Sequence, residues 1–171
     1  MNSKILIILS FSTLLCIISC KEVTNEKSKD TTDQTGSFDK EKAAILETLH
    51  DETEAAFQRN YDKWKEYWVH DPNITKTYIN FVDSSFSESV GWDNISNFVK
   101  TFIEKHPKPE PVPKLVDDID VRLYKNGAWV SFEQQDSLRG LKRETRLMEK
   151  VNGQWKIAGM QTTIYGLNKN K

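Results

Sequence analysis

Proton-transfer chemistry needs a carboxylate or an imidazole held where its pKa is shifted. Few residues of this chain qualify by type and position. His70 and Asp71 stand together at the end of a tryptophan-rich segment, just before Pro72, and either could serve as a general base. Each also has a plainer reading. His70 at a helix end can bond the terminal carbonyls, and Asp71 before proline is a turn former. Arg146 carries a planar fork suited to a carboxylate or phosphate, and it could equally pair with Glu144 or Glu149. Gln161 and Thr163 are polar positions on the last strand-like run, but Gln161 cannot take a proton at neutral pH. His50, His70 and His106 form no H-x-x-x-H pair, and there is no glycine-rich phosphate loop. No metal and no cofactor is therefore expected.

The two cysteines, Cys16 and Cys20, both lie in the first twenty residues, so the rest of the chain has neither a disulfide nor a thiolate metal site. Lys4, an apolar run from Ile5 to Ile18, and then Ser19-Cys20 read as a secretory signal peptide over residues 1–19. Ile17-Ile18-Ser19-Cys20 is similar to a bacterial lipobox, and that resemblance implies cleavage after Ser19 and a lipidated Cys20. Diacylglycerol and an N-acyl chain such as palmitate together give stable membrane attachment, because each buried methylene adds about 0.8 kcal/mol. The expected address is the cell envelope, with the domain outside the cytoplasm, at the outer membrane if the cell is Gram-negative. Residues 20–37 are polar, with Val23 as their one large aliphatic side chain, and read as a flexible tether.

The elements that must position the candidate residues follow from periodicity. Asp39 can cap a helix carrying Ile45, Leu46, Leu49, Ala56 and Phe57, with Thr53 filling the gap and Asn60 in the left-handed C-terminal position. Tyr61 to Trp68 makes a second, shorter helix with Trp64 and Trp68 on one face. Thr75–Val82 and Phe86–Gly91 read as a hairpin. Trp92, Ile95, Phe98, Val99, Phe102 and Ile103 stripe a third helix. Prolines at 107, 109, 111 and 113 force an extended connector. Four strands in consecutive hairpins follow from Leu115 onward, the last two joined at Asn152-Gly153, a pair suited to a two-residue turn. The domain spans 38–166, and 167–171 is a polar tail.

This order resembles the NTF2-like superfamily, in particular its SnoaL-like and DUF4440-type members. The points of likeness are Asn60-Tyr61-Asp62-x-Trp64, Gly91-Trp92, Ala128-Trp129-Val130 and Asn152-Gly153-x-Trp155-Lys156-Ile157, in that order and spacing. The resemblance implies an α+β cone, with three N-terminal helices against a strongly bent antiparallel sheet. It also implies a pocket between helices and sheet, and in many relatives a homodimer through the outer sheet face.

Alternation supplies the lining. Ala128, Val130, Phe132 and Gln134 share one face, with Trp129 on the other. For residues 142–151 the pattern leaves the inner face undecided. On the last strand Trp155 and Ile157 mark the inner face and carry Gln161 and Thr163 with them. Trp64, Tyr67, Trp68, Tyr78 and Trp92 could wall a pocket or simply fill the core. With two of these aromatics and the fork of Arg146 added, the expected pocket residues are Trp68, Tyr78, Gln134, Arg146, Gln161 and Thr163. Charged residues are 29% of the chain and the formal net charge is −1, which argues against a nucleic-acid binder. Two functional readings follow. The first is a membrane-tethered domain holding a small apolar or amphipathic ligand. The alternative is an isomerase or lyase with His70 or Asp71 as base. By the resemblance, Gln161 stands where many relatives carry a polar or histidine residue, and a glutamine there favours the first.

Overall fold

A computed structural model describes residues 30–114, 116–136 and 140–166. Cys20 and the first part of the proposed tether lie outside them, as does the polar tail. The chain forms α1 (Asp30–Phe57), α2 (Tyr61–Trp64, continued as a 3-10 turn over Lys65–Tyr67), β1 (Thr75–Asn80), β2 (Ser85–Val90) and α3 (Trp92–Lys105). Then come β3 (Asp120–Leu123), β4 (Gly127–Asp136), β5 (Gly140–Val151) and β6 (Gln154–Ile164).

The helix α1 begins at Asp30, so Asp39 lies inside it rather than capping it, and part of the expected tether is helical. Its buried stripe is Ile45, Leu49, Glu52 and Ala55, a 4–3–3 spacing that places an acid where Thr53 was expected. The left-handed residue after α1 is Arg59, not Asn60. Asn60 instead caps α2, its side-chain oxygen accepting from the Lys63 amide at 3.0 Å. Trp64 and Trp68 share a face and are both fully buried.

The six strands run in the order β2-β1-β6-β5-β4-β3. Every neighbouring pair is antiparallel except β1 and β6, which are parallel, so the sheet is mixed rather than wholly antiparallel. A parallel pair requires a crossover, and the chain from β1 through β2, α3, β3, β4 and β5 supplies it. Asn152 and Gly153 both have positive φ, as the tight β5–β6 turn demands.

The pairing of β5 with β6 slips once. Leu147 faces Gly159, but Met148 faces Ile157, leaving Ala158 as an extra residue. Such a bulge bends the strand and reverses the facing of everything beyond it. The loop after α2 closes on this point, with Trp68 bridged to Ile157 and the Val69 amide donating to the Ile157 carbonyl at 2.9 Å.

The core lies between the helices and one sheet face, centred on Ile45, Trp64, Trp68, Ile95, Val130 and Met148. Glu41 on α1 clamps the helix to the last hairpin, accepting from the Trp155 indole at 2.7 Å and pairing with Lys150 at 2.6 Å.

Candidate functional site

The register places side chains on the inner sheet face in rows that cross four strands. Lys76 on β1 faces Met160 on β6, Met160 faces Arg146 on β5, and Arg146 faces Val130 on β4. The next row is Tyr78, Thr162, Glu144 and Phe132, and the third ends in Lys142 and Gln134. The first two rows contain Lys76, Arg146 and Glu144, all of them buried. Strands lie about 4.8 Å apart, so Lys76 and Arg146, two strands apart, are close enough to act on one small molecule.

These rows floor a cavity of about 570 Å³. Ala56 and Phe57 of α1, Phe98 and Val99 of α3, and Phe132 of β4 supply much of its apolar wall. The volume falls within the range of small-molecule pockets. A second, more open groove of about 550 Å³ lies between β2 and α3, lined by Ser89, Asn94, Phe98 and Phe102 among others.

The polar groups of the floor are built into specific contacts. Glu144 accepts from Thr162 Oγ1 at 2.7 Å and pairs with Arg146 Nη1 at 2.9 Å and Lys142 Nζ at 3.1 Å. Burial alone would raise its pKa, but Arg146 and Lys142, with the Thr162 hydrogen bond, hold it below the usual carboxylate range. Burial opposes the charge on Arg146 as well, yet Glu144 and then Glu52 hold its pKa above the usual value. Glu52 Oε1 accepts from two indoles, Trp64 Nε1 at 2.7 Å and Trp68 Nε1 at 3.1 Å. These bonds fix both rings and explain how an acid is tolerated on the buried stripe of α1.

The cations are less completely matched. Arg146 Nη1 is committed to Glu144 and to the Thr145 carbonyl, at 2.9 and 3.1 Å. Arg146 Nε is fully covered and has no hydrogen-bond partner among the described residues. Lys76 Nζ meets the Met160 thioether at 2.9 Å and lies 5.3 and 5.2 Å from the centres of the Trp68 and Tyr78 rings.

Three of the expected pocket residues, Tyr78, Gln134 and Arg146, line the cavity. Trp68 does not; it is core beneath it, with its indole on Glu52. Gln161 and Thr163 do not line it either. The bulge at Ala158 turns both to the outer face, where Gln161 Nε2 donates to Thr163 Oγ1 at 3.1 Å. Met160 and Thr162 take their places inside. The undecided strand is settled, with Glu144, Arg146 and Met148 inward.

His70 and Asp71 lie outside the cavity. The exposed His70 ring stacks on Trp92, and its Nε2 lies 2.9 Å from the Lys65 carbonyl at the helix end. Asp71 accepts from the Asn73 amide at 2.8 Å in a local turn. Both plainer readings describe what these residues do. Glu52, Lys76 and Glu144 were not among the expected site residues. The alternation of β5 carried a signal for Glu144; Glu52 and Lys76 stood at positions whose spacing already fitted the buried face.

Several solved structures share this architecture. A candidate dehydratase of the NTF2-like family from Streptomyces avermitilis superposes with a TM-score of 0.57 at 11% identity, covering 74% of this chain and 96% of that one. A cystatin-like fold protein from Burkholderia xenovorans gives 0.55 at 16% identity, covering 71% and 89%. An NTF2-like protein of unknown function from Shewanella oneidensis gives 0.51 at 18% identity, covering 71% and 98%. No protein-family model and no curated protein matches the sequence. The chain therefore has the NTF2-like fold, an α+β arrangement of three helices against a six-stranded sheet.

Proposed function

We propose that this protein is a lipid-anchored domain of the cell envelope that binds a small amphipathic molecule in its cone. The cavity between α1, α3 and the inner sheet face carries this reading, because an apolar wall stands over a floor of charged and hydroxyl groups. A domain evolved only to pack would fill such a space with side chains. The lipobox-like Ile17-Ile18-Ser19-Cys20 supports the address.

The proton-transfer alternative loses its named bases. His70 and Asp71 do not reach the cavity, and His50 and His106 are exposed and are not part of its lining. The three carboxylates that do line it are engaged, Glu144 by two cations and a hydroxyl, Glu52 by two indoles and Glu110 by Arg59. A floor of satisfied acids and under-matched bases is better suited to holding a ligand than to moving protons.

The test is capture from a small-molecule extract. Immobilised domain should retain a compound that mass spectrometry detects after washing. Ala56→Phe, which fills the cavity from α1, should lose it while keeping the far-ultraviolet spectrum of the parent. Equal retention by the filled variant would place binding elsewhere and defeat the proposal.

A further inference from the structure

The deep part of the cone has more positive than negative formal charge. Lys76, Lys142 and Arg146 stand on its floor against two acids, Glu52 and Glu144. The chain as a whole carries a net charge of −1, so this local excess is not an echo of composition. The rim does not alter it, since there Arg59 is paired with Glu110 and Lys114 with Asp117.

The excess is located on particular atoms. Lys76 is 7% exposed and Arg146 8%, so neither is hydrated like a surface cation. Among the described residues no carboxylate lies within 4.0 Å of Lys76 Nζ; its contacts are a thioether and two ring faces, all weak partners for an ammonium. Arg146 uses Nη1 alone for Glu144 and the Thr145 carbonyl. Its Nε lacks an acceptor, and Nη2 makes no hydrogen bond among the described residues. In a guanidinium, Nε–H and one Nη2–H point the same way, and together they form the side-on fork that grips a carboxylate. That edge of Arg146 is the one left over. A buried donor without an acceptor costs free energy that an incoming oxygen would recover.

Resting on the binding role assigned above, we propose that the cone's ligand is a small carboxylic acid with an apolar body. Its carboxylate lies beside the Lys76 ammonium and on the Nη2 end of the Arg146 fork, reaching the covered Nε only as the side chains over that nitrogen give way, and its hydrocarbon or aryl part lies against Phe98, Val99 and Phe132. A single carboxylate supplies the one negative charge by which the floor is short. A phosphate monoester, nearer two charges, would exceed it. Planarity favours the carboxylate as well, since the guanidinium fork is itself planar.

The test uses 3-phenylpropionate, phenylacetate, hexanoate and octanoate, each paired with its primary amide, and phenyl phosphate as a competing anion. Calorimetric titration of the wild-type domain should show at least one acid binding about tenfold or more tightly than its amide. Arg146→Lys keeps a charge for Glu144 but removes the fork, and Lys76→Met removes the ammonium. Each should weaken that acid about tenfold or more while leaving the amide within about twofold. The Arg146 Nε–H resonance, assigned through its bonded connections to the Arg146 backbone in the wild-type protein, should move on adding the acid and stay on adding the amide. This reading needs only the wild-type protein, so it holds even if a variant does not fold.

Acid and amide binding equally would overturn the carboxylate assignment and leave the cone as a binding site for neutral molecules. Phenyl phosphate binding more tightly than every acid would overturn it in favour of phosphate. No binding by any probe at about 10 mM would count against both this proposal and the binding role.

Discussion

At the scale of single residues, the cone floor turns on Glu144. It is 5% exposed and holds Arg146, Lys142 and Thr162 in one network. A buried pair of this kind is weak evidence for added stability, but removing one partner strands the other and typically costs about 3–5 kcal/mol. The pH dependence follows from the direction of its shift. The folded-state pKa of Glu144 lies below its ordinary value, so its contribution is complete above about pH 4.3, the unfolded carboxyl value. It is lost as pH falls further, through the folded pKa. Urea midpoints measured from pH 7 to pH 3 should therefore drop on the acid side. Glu144→Gln should start lower and show a shallower acid limb. An unchanged limb would mean that the network does not carry the acid sensitivity.

At the scale of elements, one bulge decides which side chains meet the ligand. Trp155 and Ile157 face inward, and strict alternation would carry Gln161 and Thr163 in with them; Ala158 is the extra residue that brings in Met160 and Thr162 instead. Deleting Ala158 would remove the bulge, and plain alternation from Ile157 would then keep Met160 and Thr162 inward and Gln161 and Thr163 outward. The domain should therefore fold with the same inner face and lose only about 0.5–3 kcal/mol in urea unfolding, from the lost bend and one lost side chain. A deletion variant that does not fold would contradict the assignment of Ala158 as the extra residue.

The same strand shows what the sequence does and does not disclose. The order of helices and strands, the Asn152-Gly153 turn and the inner face of β4 are legible, because each rests on local periodicity or turn chemistry. Gln134 was found in this way, whereas Tyr78 was chosen as an aromatic and Arg146 for its guanidinium fork, the alternation of β5 leaving its inner face open. A bulge has no local signature here, since Ala158-Gly159 fits a regular strand as well as a slipped one. Glu52 was hidden for another reason. An acid at a helical core spacing is normally read as a break in the stripe, and only the indoles of Trp64 and Trp68, brought from the next helix, make it a buried acceptor. Asn60 shows how a single residue of offset changes a role, from ending one helix to capping the next.

At the scale of the whole molecule, the proposed function joins an address to a container. The address rests on Cys20, and Cys20→Ala should release the protein from the membrane fraction into the soluble one; retention on the membrane would refute the lipid anchor. The container rests on the cavity, and its location can be measured directly. Backbone amide shifts of the labelled domain should be followed during titration with 3-phenylpropionate and its amide, whichever binds. The largest changes should fall on Val99, Phe132, Met160 and Thr162. Changes centred on the β2–α3 groove at Ser89 and Asn94, or on the outer-face pair Trp129 and Leu147, would contradict it.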